Sequence, residues 1–317
     1  MYKLKEQIIS IPIPVSINVV KFTILNNLNN EKVKQEILEF GENKVLIDLT
    51  ELENHFNYYY FFEEKIGDNW EIKEKPKKIV PIFIDTVNKF EYSYQEYNKS
   101  KKMLVIFSSS TVKNRLNYIN TLYDYPTTKL FLSDENDLGE DSTASYYLGT
   151  FRKHDYEEKM LKLIEYYRAK NNLEKSDVIL IGSSKGGFSS IYYTFKYQYG
   201  YCILGSPTIF LGKMHKNTTR GRKIITHLAG DSSDESINWI DNLIPSQIVN
   251  IPSHSQIYYH VGEGEPRYTK HAVPLINMLN NNGIELQDLD LGNYSNHSLV
   301  AEYFPTYLTK VLDKITK

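Results

Sequence analysis

The sequence predicts a chain in two parts: a small antiparallel β-sandwich over residues 1–95, then an α/β domain over 96–317 built on a mostly parallel sheet with helices on both faces. Three observations lead there. Upstream of Lys102, short stretches alternate apolar and polar residues between Asn/Gly turn signals, the period of strands that bury one face. Downstream, runs that are apolar throughout are followed by helical patterns, as strands covered on both faces require. The length of 317 residues, with 41% hydrophobic and 24% charged, suits one large or two ordinary domains and excludes collagen-like and largely disordered chains.

Taken in order, strands are expected at 8–17, 19–25, 44–49, 57–63, 70–73 and 79–85, separated by signals such as Asn29-Asn30, Gly41-Glu42-Asn43 and Gly67-Asp68-Asn69. The first twenty residues run from charged to apolar, but they alternate, carry two prolines and lack an Ala-x-Ala site. They read as an opening strand rather than a signal peptide. Polar, turn-like residues 98–102 mark the boundary. Strands then follow at 103–107, 129–132, 178–181, 201–204, 256–259 and 284–291, with helices at 156–170, 186–197, 268–281 and 301–315. Residues 205–251 are too long for a plain connection and hold helical pieces near 222–228 and 235–243. They are expected to form a lid or an acceptor-binding wall.

Composition narrows the function classes. Lys+Arg 37 against Asp+Glu 39 leaves a net charge of −2, with no basic surplus for neutralising phosphates, so nucleic acid is excluded as a main partner. No run approaches the ~20 apolar residues of a transmembrane segment. A single cysteine, Cys202, cannot form an internal disulfide, and a cytoplasmic location fits. The 26 tyrosines against 2 tryptophans could line a sugar-binding surface. Asn, Lys and Ile are equally abundant, however, and half-buried strand positions explain the tyrosines without a ligand.

The strongest local signal is Gly182-Ser183-Ser184-Lys185-Gly186, a G-x-S-x-G run between an apolar strand and a helical pattern. Flanking glycines permit a strained strand-to-helix turn that lifts the Ser184 hydroxyl above the sheet at a helix N-terminus. There the backbone N–H of Lys185 and the positive end of the helix dipole face a developing oxyanion. A phosphate-cradling loop is the weaker reading, because neither G-x-x-x-x-G-K-[ST] nor G-x-G-x-x-G is present.

A serine nucleophile needs a base and an acid, in the order Ser, acid, His when built on this kind of sheet. Of the eight histidines only His297 falls in a loop after the last expected strand and before the last helix. His260 and His271 sit inside expected elements and His55 lies in the other domain, while His154, His215, His227 and His254 fall in loops or insertions out of order. For the acid, the penultimate strand end reads Gly262-Glu263-Gly264-Glu265-Pro266-Arg267. Glu265 is preferred and Glu263 is the alternative, with Asp231 and Asp234 behind them. The second oxyanion donor is expected from the turn after 103–107, nominally the Ser109 N–H. No metal site is expected, since there is no H-E-x-x-H and one cysteine cannot build a thiolate zinc site. Lys213, Lys216, Arg220, Arg222 and Lys223 form a local basic cluster, either a solvated face or a contact for an anionic saccharide or phosphorylated donor.

On Gly182-Ser-Ser-Lys-Gly-Gly-Phe, the 262–265 loop and Asn296-His297, residues 100–317 resemble an α/β-hydrolase. More narrowly, the same run with Ser145-Tyr-Tyr-Leu-Gly149 and Gly205-Ser-Pro-Thr-Ile-Phe-Leu-Gly212 resembles XcbB/CpsF-type capsular polysaccharide biosynthesis proteins, which in turn resemble the accessory Sec system carbohydrate O-acetyltransferase. The resemblance implies Ser184 as nucleophile, Glu265 as acid and His297 as base, acting on a carbohydrate or glycan as an O-acetyltransferase or acetylesterase. It implies no bound cofactor, acetyl-CoA as a candidate acyl donor, and other polysaccharide-assembly proteins as candidate partners. The alternatives are a general carboxylesterase and a non-catalytic glycan- or partner-binding protein on the same fold.

Overall fold

The computed structural model describes the chain outside residues 1, 5–7, 15–18, 27–28, 39–41, 43, 53–56, 89, 98, 110–115, 135–144, 250–254 and 317. The chain divides into two compact units, Met1–Asn98 and Lys99–Lys317.

The first unit is antiparallel β. Its strands are β1 (Tyr2–Leu4), β2 (Ile8–Pro12), β3 (Val20–Asn26), β4 (Lys32–Leu38), β5 (Lys44–Asp48), β6 (Tyr58–Ile66), β7 (Asn69–Ile72), β8 (Lys77–Ile79), β9 (Phe83–Asp85) and β10 (Glu91–Gln95). β4, β3, β6 and β7 pair in that order with β8 also on β6, β2 pairs with β5, and β9 lies between β1 and β10. Alternation decides which side chains meet. Phe22, Ile24, Tyr58 and Phe62 of the larger sheet join Ile11, Val45 and Ile47 of the β2–β5 pair in one buried cluster, the core of a β-sandwich. The strand expected at 79–85 is broken into β8 and β9, because Pro81 between them has no N–H for a ladder. β4 has no counterpart among the expected strands: only Leu38 is buried along it, so its sequence carries little apolar signal.

The second unit is an α/β fold built on a parallel sheet. Strands β11 (Met103–Phe107), β12 (Thr128–Leu132), β13 (Val178–Ser183), β14 (Tyr201–Gly205), β15 (Gln256–Gly262) and β16 (Asp288–Gly292) form a parallel sheet in the order β12-β11-β13-β14-β15-β16. Helices α1 (Ile119–Leu122), α2 (Asp155–Lys170), α3 (Ser184–Tyr197), α8 (Val273–Asn281) and α9 (Val300–Ile315) accompany it. The insertion carries α4 (Leu211–His215), α5 (Thr219–Ala229), α6 (Asp234–Asp241) and α7 (Leu243–Ile248). One face of the sheet, through Ile106, Ile181 and Ile203, buries itself against Tyr307, Leu308, Val311 and Leu312 of α9. Among the described residues no helix is long and apolar enough to cross a membrane.

α1 and α4 have no counterpart among the expected helices, and two expected elements begin differently. β16 begins at Asp288 rather than 284, and the helix expected from 268 opens with a π turn, Tyr268–Ala272, before α8. Pro274 in the first turn of α8 cannot donate a backbone bond, so regular α spacing starts only there. What matters most for function is register. Phe107 lies opposite Gly182, Ser183 opposite Gly205, Gly205 opposite His260 and Gly262 opposite Gly292, so the carboxyl ends of five strands release their loops at one edge.

Candidate active site

Ser184 stands where β13 turns directly into α3, with φ +51 in the left-handed region that an L-residue enters at a cost. The glycines around it are required by packing. A Cβ on Gly182 would lie 2.3 Å from the Gly186 backbone, and one on Gly186 would lie 2.1 Å from the Phe107 carbonyl oxygen. The helix start therefore presses onto the strands, and the serine is left projecting over the sheet edge. Ser183 beneath it is buried, its Oγ accepting from the Tyr118 hydroxyl at 2.5 Å. Burial pushes the Tyr118 phenol up to about 12, against the lowering effect of this contact.

Two loops deliver the partners. After β15 the chain turns through Gly262-Glu263-Gly264, and the Glu265 N–H returns to the Gly262 carbonyl at 3.0 Å. After β16 it runs to the 3₁₀ turn His297–Leu299, capped by the Asn296 side chain on the Ser298 N–H. The loops are stitched together by Glu263 N–H to the Gly292 carbonyl (2.8 Å) and Gly264 N–H to the Tyr294 carbonyl (3.2 Å). In consequence His297 Nε2 lies 3.1 Å from Ser184 Oγ, and His297 Nδ1 lies 2.6 Å from Glu265 Oε1. Glu265 is 2% exposed. Burial raises its carboxyl, but bonds from His297 and Ser206 and the charges of His297 and Arg267 outweigh that and hold it below the usual carboxylate range.

The structure adds two residues that the motifs do not nominate. Ser206, directly after β14, has φ +42, and its hydroxyl lies 2.8 Å from both carboxylate oxygens of Glu265 and 3.5 Å from His297 Nδ1. Its only sequence signal is Gly205-Ser206-Pro207 at a strand end. Arg267, two residues past Glu265, donates from Nη1 to Ser184 Oγ at 3.2 Å and lies against both ring nitrogens of His297. A lone arginine in a loop announces nothing by spacing, which is why sequence reasoning misses it.

Around the elbow, the Lys185 side chain turns inward to a fully buried ion pair with Asp134, Nζ to Oδ2 at 3.0 Å, and Ser145 Oγ donates to the other carboxylate oxygen. Burial lowers the Lys185 ammonium from its ordinary value, opposed by Asp134. Its backbone N–H belongs to the first turn of α3. Ser108 N–H is taken up by the Leu132 carbonyl and the Tyr147 hydroxyl. Ser109 is half-buried and its Oγ accepts from Asn117 Nδ2 at 2.9 Å, while 110–111 of the same turn lie outside the described residues.

The remaining candidates are placed as follows. Glu263 is exposed. Asp231 holds Ser233 and Ser236 at the start of α6, contacts that lower its carboxyl to about 2, and Asp234 is the first residue of α6. His260 bridges Asp290 and Tyr294, His271 accepts from the Ile209 and Phe210 N–H groups, and His215 meets the Tyr146 hydroxyl. His154 contacts Glu157, and His227 lies in α5 of the insertion. His55 and His254 lie outside the described residues. In the basic cluster, Lys213 lies on α4, Lys216 follows it, and Arg220, Arg222 and Lys223 lie on α5. Among the described residues no group of three His, Cys, Asp or Glu side chains is arranged to hold a metal ion.

Fold and strand-end site together define a chain of α/β-hydrolase architecture with a sharp strand-to-helix turn at Ser184. No protein-family model matches it, and no curated protein does. Among solved structures it is similar to the capsule O-acetyltransferase of Neisseria meningitidis serogroup A, with TM-score 0.62 and 20% identity over 74% of this chain and 94% of that one. A mutant of that enzyme in complex with CoA matches comparably, with TM-score 0.61. The glycosylation-associated protein (Gap123) complex of Streptococcus agalactiae matches over 99% of this chain and 63% of that one, with TM-score 0.61 and 14% identity. A fluorophosphonate-binding serine hydrolase of Staphylococcus aureus, substrate-bound, matches with TM-score 0.54 and 12% identity over 72% and 93%. Identities this low establish a shared fold.

Proposed function

We propose that the chain is a serine-dependent acyltransferase that O-acetylates a carbohydrate in capsule or surface-glycan synthesis. The observation that carries this reading is the hydrogen-bonded series Ser184 Oγ, His297 Nε2, His297 Nδ1 and Glu265 at the carboxyl edge of a parallel sheet. In it His297 takes the proton of Ser184 as Oγ attacks an acyl carbonyl, and Glu265 holds the tautomer and stabilises the imidazolium. His297 passes that proton to the departing thiolate or alkoxide of the donor, then takes the proton of a sugar hydroxyl that attacks the acyl-enzyme, and returns it to Ser184 as the ester leaves. The Lys185 and Ser109 N–H groups serve as the backbone oxyanion donors. Acetyl-CoA is the candidate donor, supported by the CoA complex of the similar capsule enzyme, and polysaccharide-assembly proteins are candidate partners, supported by the glycosylation-associated complex.

Mass spectrometry after exposure to an activated acetyl ester or a fluorophosphonate is expected to show one adduct, at Ser184. A folded protein that never labels there would sink the covalent mechanism. Similarity to a serine hydrolase supports a second reading, a carboxylesterase. Transfer predicts that acyl-enzyme turnover accelerates with the right saccharide, whereas turnover by water alone, unchanged across a panel of glycans, favours the esterase.

A further inference from the structure

We propose that Arg267 is itself a catalytic residue, whose guanidinium donates to the oxygen that becomes negative during acyl transfer. This rests on the reading of Ser184 as nucleophile. The geometry is direct: Nη1 stands 3.2 Å from Ser184 Oγ, so a tetrahedral centre built on that oxygen falls within its reach. The side chain is 13% exposed, and the one carboxylate facing it among the described residues, Glu265, is 3.9 Å from Nε and already bonded to Ser206 and His297. A buried guanidinium whose nearest carboxylate is engaged elsewhere is under-compensated in the resting site. Burial lowers its pKa from the usual value, the sign expected of a cation short of counter-charge.

Ser108 N–H, at the end of β11, is taken up by the Leu132 carbonyl and the Tyr147 hydroxyl. A charged donor is stronger than a neutral one and suits a developing oxyanion.

The step balances without any other reagent. Ser184 Oγ forms a bond to the acyl carbon, its proton passes to His297 Nε2, and the carbonyl π pair moves onto oxygen. As the imidazole becomes cationic it repels the guanidinium lying against it, while the new oxyanion attracts it. Collapse re-forms the carbonyl and expels the thiolate or alkoxide of the donor, which takes the proton from His297.

The test uses the full chain and a neutral probe, 4-nitrophenyl acetate, with Arg267→Ala, Arg267→Lys and Arg267→Gln compared after a thermal melt confirms folding. Arg267→Ala is expected to lower kcat and the acylation rate by about 10² to 10³-fold with KM changed by less than about threefold. Arg267→Lys should recover part of the loss, and millimolar guanidinium chloride should restore activity to the alanine variant; a purely structural role would produce neither. Should the alanine variant fail to fold, Arg267→Gln against Arg267→Lys isolates the charge. Activity of the charge-free variants within about threefold of wild type, or a loss confined to KM, overturns the proposal. If the wild type itself is not acylated at Ser184, the underlying reading fails instead, so the two failures are distinguishable.

Discussion

At the scale of the residue, two serines on neighbouring strand ends adopt left-handed backbone where glycine is the ordinary occupant: Ser184 after β13 and Ser206 after β14. Both costs are accepted at the site, one to project a hydroxyl and one to clamp a buried carboxylate from below. That clamp, with the 2% exposure of Glu265, separates the two glutamates of the loop. Glu265→Gln is expected to lower kcat by about 10² to 10⁴ with little change in KM, since the interaction matters as imidazolium forms. Glu263→Gln, on an exposed side chain, should be mild. Steady-state kinetics on one ester decide it; the reverse ranking would move the acid by two residues. Ser184 is legible in the sequence because its whole context, strand, turn and helix, is contiguous. His297 is legible from chain order. Ser206 and Arg267 are not, because what marks them is a contact across 59 residues in one case and 83 in the other, which no local pattern encodes.

At the scale of the element, the start of α3 is anchored by Lys185 and Asp134, an ion pair with side chains 1% and 0% exposed. Such a pair adds little net stability over an apolar one, but removing one member strands the other's charge. Lys185→Met is expected to destabilise by about 3–5 kcal/mol, and Lys185→Met with Asp134→Leu to recover much of that, measured by urea unfolding. A single variant within about 1 kcal/mol of wild type would show the pair to be well solvated on loss of its partner. Strands β11, β13, β14 and β15 are readable because apolar runs covered on both faces have no other explanation. β4 and the short α4 are not, as one buries a single side chain and the other is five residues long.

At the scale of the molecule, most of the groups of the second unit that titrate below about pH 10 bias stability in one direction. Burial, with the charges of neighbouring cations, lowers His215 and His271 to about 4 from 6.5, so the unfolded chain binds more protons than the folded one across that interval. Stability therefore falls as pH drops through it. Glu157, Glu165 and Glu265 are each raised by burial but lowered further by hydrogen bonds and cations. Their contribution is present above about 4.5 and lost as pH falls. Lys129, lowered by burial to about 7, extends the rise toward alkaline pH, whereas the buried tyrosines, with phenols raised by burial, reverse it above about 10. Asp241, raised by burial, opposes the trend from about 3.8 up to its folded-state value. The melting temperature is expected to climb from pH 4 to beyond 7, and His271→Asn, which keeps an acceptor for the Ile209 and Phe210 N–H groups, to flatten the acid limb. A melting temperature that is level from pH 4 to 7 would contradict the assignment.

The five positions of the elbow have a consequence for how the sequence can drift. Gly182 and Gly186 admit no side chain because backbone atoms stand 2.3 and 2.1 Å from where a Cβ would be. Ser183 is tied to Tyr118 and Lys185 to Asp134, so the two variable letters of the G-x-S-x-G pattern are spoken for by partners 65 and 51 residues away. In a saturation library the whole pentapeptide should read as intolerant, and revertants at 183 or 185 should arise as paired changes at 118 or 134.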